Sequence, residues 1–357
     1  MAKNEQDSLK KMKIVHVLKS SIYSGAENVV LTIIRELKGK FDFVYIATDG
    51  PIRKKLEQEA VPFILLDKFA KKDLAKALEQ CKPDLVHAHD FSATVLCSGI
   101  PGGFRLISHL HYDPPWVRSW NLKTLVYAMC YKRIERILAV SENAFDSMAF
   151  AKIYRKKLSV VGNPVDGKQI RRLAKKELPK SEGEACDVIF VGRFVKQKNP
   201  QRFIRIIDMI KKQFWPDIRV WMLGQGELWE ECRQLIQDLG LQENIELKGF
   251  AENPYAYIRR AHIMCVTSRW EGFGLVVIEA NLLGVPVLST DTSGCREILG
   301  KDSWELCKSD EEFVENLMEM NNHPEKYEIW KKWSVGRAEG FDNIGRYMAQ
   351  MSQIYRK

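Results

Sequence analysis

Several common signatures are missing from this chain. Its eight cysteines stand far apart, with no Cys-x-x-Cys and no companion histidine spacing. Neither a disulfide framework nor a structural zinc is expected; reduced, mostly buried thiols of a cytoplasmic protein are. No apolar run reaches the length of a membrane span. Residues 1–13 are polar and lysine-rich with no apolar segment behind them, so no signal peptide is expected. No Gly-x-Gly-x-x-Gly follows the first strand candidate, which leaves a dinucleotide fingerprint unsupported. There are no repeats, no low-complexity tracts and no aromatics interleaved on a basic strand face, so nucleic acid is not an expected partner.

What is present is ordinary in bulk and uneven in detail. With 357 residues, 45% hydrophobic and 28% charged, the chain reads as a soluble globular protein of two domains. The net charge of +9 sits almost wholly in the first half. Residues 1–166 carry 26 Lys and Arg against 18 Asp and Glu, while residues 167–357 carry 29 against 28. The basic surplus by itself points to an anionic partner for the first half, such as a membrane surface, a lipid diphosphate or a nucleic acid.

The chain is organised around Arg269-Trp270-Glu271-Gly272-Phe273-Gly274-Leu275-Val276-Val277-Ile278-Glu279-Ala280. This stretch follows the apolar run 263–268 and leads into the run 285–290, which predicts strand, glycine-hinged turn, helix, strand. Gly272 and Gly274 allow a sharp turn and close backbone approach, and the following helix start would present N–H groups and a positive dipole end to a phosphate. Glu271 in the turn and Glu279 on the helix would flank that anion, and a carboxylate suits a vicinal diol. The alternative is an ordinary crossover in which Glu271 caps the helix and Glu279 is solvated.

Strand-like runs at 13–18, 43–48, 63–66, 85–89, 106–111, 137–141 and 158–161 alternate with helical patterns, which predicts an α/β fold of doubly wound parallel sheets. A glycine turn, Ser24-Gly25-Ala26-Glu27, follows the first strand. His87, His89, Asp90, His109 and His111 fall at the carboxyl ends of two strands, the edge where such sheets bind ligands. His111, before the rigid Asp113-Pro114-Pro115, is the strongest candidate among them. A metal site from these histidines would need hydrogen-bonded outer partners that a sequence does not show. Residues 114–136 interleave Trp116, Trp120, Leu122, Leu125, Val126 and Met129 with Arg118, Lys123, Lys132, Arg133 and Arg136. They read either as a basic amphipathic helix on a membrane or as a packed crossover helix with a solvated basic edge. After residue 166 the pattern breaks into a charged segment, and a second alternating series begins at 187. Arg193 and Lys198, just past its first strand and beside a helix start, suit a diphosphate, because helix N-termini disfavour cations without a ligand.

These residues together resemble glycosyltransferase family 4 (GT4) of the bacterial polysaccharide-biosynthesis type, over nearly the whole chain. Ser24-Gly25-Ala26-Glu27 resembles the family's Gly-Gly-Ala-Glu loop, and residues 84–90 its Asp-h-Val-His-h-His-Asp strand. Val140-Ser141 is similar to its Val-Ser turn, and Val191-Gly192-Arg193 with Lys198 to its Val-Gly-Arg-x4-Lys phosphate site. Glu271 to Glu279 is similar to its Glu-x7-Glu signature, and Gly294 with Glu297 to its Gly-x-x-Glu. The chain departs from the family at Ser24, at Val161-Gly162-Asn163-Pro164 in place of Pro-Asn-Gly, and at the short loop 300–302.

The resemblance implies the GT-B architecture: an acceptor-binding Rossmann-like domain at 1–166, a linker at 167–186, a nucleotide-sugar-binding Rossmann-like domain at 187–340, and a C-terminal helix at 341–357 packing back toward the first domain. It implies a retaining, metal-independent transfer of a sugar from a nucleotide-diphosphate sugar to a hydroxyl acceptor, here a lipid-linked saccharide, with no cofactor. By position, Arg193 and Lys198 would bind the diphosphate and Glu279 the ribose. Glu271, Gly272, Phe273, Gly274 and Leu275 would bind the donor sugar and phosphate, with Gly249 and Phe250 near the base. Gly25 would approach the phosphates, and His111 and Glu271 would be the catalytic residues. The charge asymmetry adds an anionic membrane surface as a partner, which places the protein peripherally at the inner face of the cell membrane. A non-catalytic accessory subunit or a sugar-nucleotide epimerase of the same fold is the alternative.

Overall fold

The computed structural model describes residues 11–112, 114–179 and 185–357. The lysine-rich start before Lys11, Asp113 of the Asp-Pro-Pro turn and residues 180–184 of the expected linker lie outside the described residues. The chain divides into two units, one running to Pro164 and completed by Gly345–Lys357, the other Val165–Ile344.

The first unit holds a seven-stranded sheet. Its strands are β1 (Lys13–Val17), β2 (Asp42–Thr48), β3 (Phe63–Leu66), β4 (Leu85–His89), β5 (Arg105–Leu110), β6 (Arg136–Ala139) and β7 (Leu158–Val160). They lie in the order β3-β2-β1-β4-β5-β6-β7, all neighbours parallel. Strand order reverses between β1 and β4, the crevice where doubly wound sheets take ligands. The strands are short continuous apolar runs because both faces are covered. Val15, Val17, Val86, Ala88, Leu106 and Leu110 enter one core with Tyr127 and Tyr154. The opposite face carries His16, His87, His89 and His109, and it is closed by Phe43 and by Tyr355 of the helix Ile344–Arg356.

The second unit repeats the plan with six strands. These are β8 (Cys186–Val191), β9 (Val220–Leu223), β10 (Ile245–Gly249), β11 (Ala261–Val266), β12 (Val287–Thr290) and β13 (Leu306–Cys307). Their order, β10-β9-β8-β11-β12-β13, again reverses at the first strand. Phe190, Phe194, Phe203, Ile207 and Met222 form its core with Phe313.

Several local expectations change. The segment 167–186 is not a plain linker: helix Gly167–Ala174 occupies its start, capped by Asp166 accepting from the Gln169 N–H at 2.9 Å. The Leu173 carbonyl accepts from Asn253 at 2.9 Å, so this helix belongs to the second unit. Residues 114–136 do not form one helix. Asn121 accepts from the N–H groups of Lys123 and Thr124, which starts a new helix at Leu122–Met129 and leaves 3-10 turns at Pro115–Arg118 and Cys130–Lys132. The strand expected at 106–111 is Arg105–Leu110, because the Arg105 N–H joins the ladder through Asp84 while the His111 N–H leaves it for the Asp90 carboxylate at 3.2 Å.

Candidate active site

In the second unit the loops after β8 and β11 are tied to each other. Gln197 accepts from the Arg269 N–H through its carbonyl at 2.8 Å and donates from its side chain to the Trp270 carbonyl at 3.1 Å. This brings Lys198 to Glu271, with Nζ 2.5 Å from Oε1. The same carboxylate oxygen accepts from the Ser268 hydroxyl at 2.5 Å. Glu271 is buried and Lys198 half-buried, with side-chain exposures of 6% and 19%. Arg193 and Lys198, expected as exposed cations at the strand edge, are both half-buried, and Lys198 is already paired. Arg193 reaches Gln197 Oε1 at 3.4 Å, so one loop carries both cations.

The glycines explain how closely these loops pack. Gly274 sits at φ +86° and precedes the helix Leu275–Leu282, so a left-handed residue turns the chain into the helix and presents its first N–H groups. A Cβ on Gly294 would lie 2.8 Å from both the Glu271 carbonyl oxygen and the Phe273 nitrogen. Its N–H donates to that carbonyl at 3.2 Å, so the helix after β12 rests directly on the loop that carries Glu271. Glu279, on the helix, is half-buried and accepts from the Tyr255 hydroxyl at 3.0 Å. Burial raises its carboxyl above the usual range, opposed by Tyr255 and Lys198. Gly249 ends β10 at φ +72°, beside Phe250, which is 51% exposed. A half-exposed ring in such a place offers a flat apolar face.

In the first unit, Gly25 opens the helix Gly25–Leu37, and a Cβ there would meet nothing within 4 Å. Ser24 caps this helix without bonding its backbone; its hydroxyl donates instead to the buried Glu27 at 2.5 Å. His111 lies half-buried just past β5, held by the Asp90 carboxylate through its backbone N–H. Behind it the other four sheet histidines stack, with the His87 and His109 rings nearly parallel at 5.2 Å and His109 to His111 at 4.1 Å. Burial pushes His111 and His16 down to about 3 and His87, His89 and His109 well below their usual range, so the whole cluster is neutral at physiological pH. Two trios, His16-His87-His89 and His89-His109-His111, bring ring nitrogens within 4.8 Å of one another. A ligating imidazole is normally held by a hydrogen bond on its other nitrogen, and His109 has a partner on neither among the described residues. In the trio His89-His109-His111 one ring therefore lacks an outer partner, whereas in His16-His87-His89 the Tyr355 hydroxyl lies 2.9 Å from His87 Nδ1.

Ser268, Gln197 and Tyr255 escaped the sequence reading. Ser268 was detectable in principle, three residues before Glu271 at the end of an apolar strand. Tyr255 was not, since only the fold brings the short helix Tyr255–Ile258 beside Glu279.

The family model described as Glycosyl transferases group 1 matches residues 171–334, and that described as Glycosyltransferase Family 4 matches residues 23–169. A glycosyltransferase of Methanocaldococcus jannaschii without characterised activity is 29% identical over 67% of this chain, which spans 63% of that relative's length. The Campylobacter jejuni N-acetylgalactosamine-N,N'-diacetylbacillosaminyl-diphospho-undecaprenol 4-alpha-N-acetylgalactosaminyltransferase is 25% identical over 90% of this chain and 93% of its own. Among solved structures, Anabaena HepE in complex with UDP and glucose superposes with a TM-score of 0.83 at 18% identity, covering 97% of this chain and 99% of its own.

Proposed function

Because this chain is a GT4-like glycosyltransferase of GT-B fold, we propose that it moves a sugar, with retention of anomeric configuration, from a nucleotide-diphosphate sugar to a lipid-linked saccharide in cell-surface polysaccharide synthesis. The observation that carries this reading is the buried Lys198–Glu271 pair beside the Gly274 helix start. A cation and a carboxylate are held together in the loop that leads into this helix start, so an incoming diphosphate finds a charge it can share and the sugar finds an acceptor for its hydroxyls. Arg193 and Lys198 with the N–H groups at Phe273, Gly274 and Leu275 offset the negative charge that grows on the leaving diphosphate. That supply of positive charge makes a metal ion unnecessary. Ser268 keeps Glu271 oriented when Lys198 turns to the phosphate, Glu279 takes the ribose diol, and Gly249 with Phe250 take the base. His111 and Gly25 are assigned to the sugar and the phosphates. Positioning and leaving-group electrostatics supply most of the acceleration.

The lipid-linked acceptor is supported by the name of the Campylobacter relative and by the surface at 120–129. Among the described residues no helix is long and apolar enough to cross a membrane. The helix Leu122–Met129 instead turns its apolar stripe outward, with Leu122 78%, Leu125 51% and Met129 83% exposed beside Trp120 at 52%. Thr124 and Tyr127 form its buried side. Exposed Lys123 and Lys132 lie along the same segment, a pattern suited to shallow docking on an anionic leaflet. The anchoring expected from Arg133 and Arg136 is revised, since they donate to the Phe104 carbonyl and to Ser159. Thermal melting with UDP-, GDP- and ADP-sugars tests the donor reading, because a ligand of the folded state raises the transition. A rise with one base, and a smaller one in Lys198→Met at the same ligand concentration, is expected; no rise with any of them overturns the reading.

A further inference from the structure

The histidine face of the first sheet contains a continuous hydrogen-bonded path. His111 Nε2 lies 2.8 Å from His89 Nδ1, and His89 Nε2 lies 2.9 Å from His16 Nδ1. Both His89 and His16 are fully buried, and the far nitrogen of His16, Nε2, has no partner among the described residues. His87 stands outside the path, bonded to the Tyr355 hydroxyl at 2.9 Å.

The three rings share one constraint. Buried as they are, each stays neutral and holds a single proton, so each can donate from one nitrogen and accept at the other. Both hydrogen bonds then form only when all three rings carry the proton on the same nitrogen. Protonated at Nδ1, His16 donates to His89 and His89 to His111, leaving His111 Nδ1–H as a donor at the loop. Protonated at Nε2, every bond reverses and His111 Nδ1 becomes an acceptor. Any mixed arrangement breaks a buried bond and sets two N–H groups or two lone pairs against each other, at a cost of about 1–3 kcal/mol. The identity of one ring thus dictates the others.

We propose that His89 and His16 are positioning residues that fix the tautomer of His111, and so decide whether it meets the donor sugar as hydrogen-bond donor or acceptor. The inference rests on the assignment of His111 to the sugar. It explains why imidazoles, rather than aliphatic side chains, occupy a buried face of this sheet: the path carries a directional preference inward without bringing a charge into the core. His89 is the coupling element, since it is the one ring bonded on both sides. His16 acts at the far end, where no ligand needs to touch it.

The test combines side-chain nitrogen NMR of the histidine-labelled full chain with steady-state kinetics. In the unaltered protein His16, His89 and His111 are expected to show one common tautomer. His16→Leu is expected to change the tautomer signature of His111 and to lower kcat by about tenfold, the worth of one hydrogen bond, with the KM for donor and the affinity for free nucleotide diphosphate unchanged. His16→Asn, whose amide occupies the place of Nδ1, is expected to restore both. His89→Leu serves as the second variant should His16→Leu melt early. Different tautomers among the three rings, or a His111 signature and kcat indifferent to both Leu variants, would overturn the path. Full transfer by His111→Ala together with a uniform tautomer would instead remove His111 from the sugar, which is failure of the parent assignment, visible separately.

Discussion

Replacing Lys198 by Met tests whether the Lys198–Glu271 pair is a ligand site or merely a strut. The variant removes one partner of an ion pair whose carboxylate is 6% exposed. Breaking a fully buried pair costs about 3–5 kcal/mol, because the remaining charge is left without its counterion. Here Lys198 is 19% exposed and Ser268 still donates to Glu271 at 2.5 Å, so water and the hydroxyl recover part of that loss. A destabilisation of about 2 kcal/mol is expected. The double variant Lys198→Met/Glu271→Gln has no orphaned charge and is expected to regain most of that stability. Nucleotide affinity should behave differently. A charged hydrogen bond to phosphate contributes about 1.5–3 kcal/mol, so the diphosphate should bind about 10- to 150-fold more weakly to Lys198→Met. The double variant should bind no better, since neutralising Glu271 restores the fold and not the cation. Urea melts give the first quantity and calorimetry with free nucleoside diphosphate the second. If the double variant recovers stability and affinity together, or if affinity is untouched in both, the pair holds the loops and the diphosphate lies elsewhere.

Four other outcomes are expected. Glu271→Gln should abolish transfer while weakening free nucleotide less than Glu279→Gln does; the reverse order in calorimetry would exchange the two assignments. Gly294→Ala should destabilise the second unit by about 1–3 kcal/mol and lower transfer, because its Cβ meets backbone at 2.8 Å that has no room to move; an unchanged melt would show that the loop yields. The first unit should be acid-labile. His16 and His111 titrate near 3 when folded, against about 6.5 in an unfolded chain, so below that value the unfolded state binds more protons and stability falls as pH drops toward 3. Each such histidine contributes up to about 1.4 kcal/mol per pH unit, and urea midpoints equal at pH 7 and 5.5 would refute the neutral cluster. Finally, Leu125→Asp/Met129→Asp should lower sedimentation with anionic liposomes at low salt; equal, negligible binding of the unaltered protein to anionic and neutral liposomes would end the membrane reading.

Most strands were legible because both sheets are buried on two sides and their apolar runs are bounded by charge or glycine, as in Phe63–Leu66, where expectation and structure coincide. Errors fell where a side chain captures backbone. Ser141 caps the next helix through the Ala144 N–H, so the strand expected at 137–141 stops at Ala139. Asn121 broke the helix read across 114–136 by the same means. At the site, residue types and order were readable, but pairing was not: nothing in the spacing from Lys198 to Glu271 says that they touch. The histidines were visible as ligand-edge candidates. Their chain of contacts depends on the register that sets His16 beside His87 and His89 beside His109, which only strand pairing reveals.

The helix Ile344–Arg356 returns to the first unit, where Tyr355 bonds His87 and the Tyr355 carbonyl accepts from Arg105 at 2.7 Å. The second unit is therefore an insertion in a unit whose final piece is made last. At about 5–20 residues per second, synthesis reaches Tyr355 some 10–40 s after Pro164. During that interval His16, His87 and Phe43 lack the Tyr355 ring that contacts all three in the finished fold, while the inserted unit has all of its own strands. Ribosome-bound chains should thus expose the first sheet to chaperones or to stray metal ions at a stage the finished molecule never revisits.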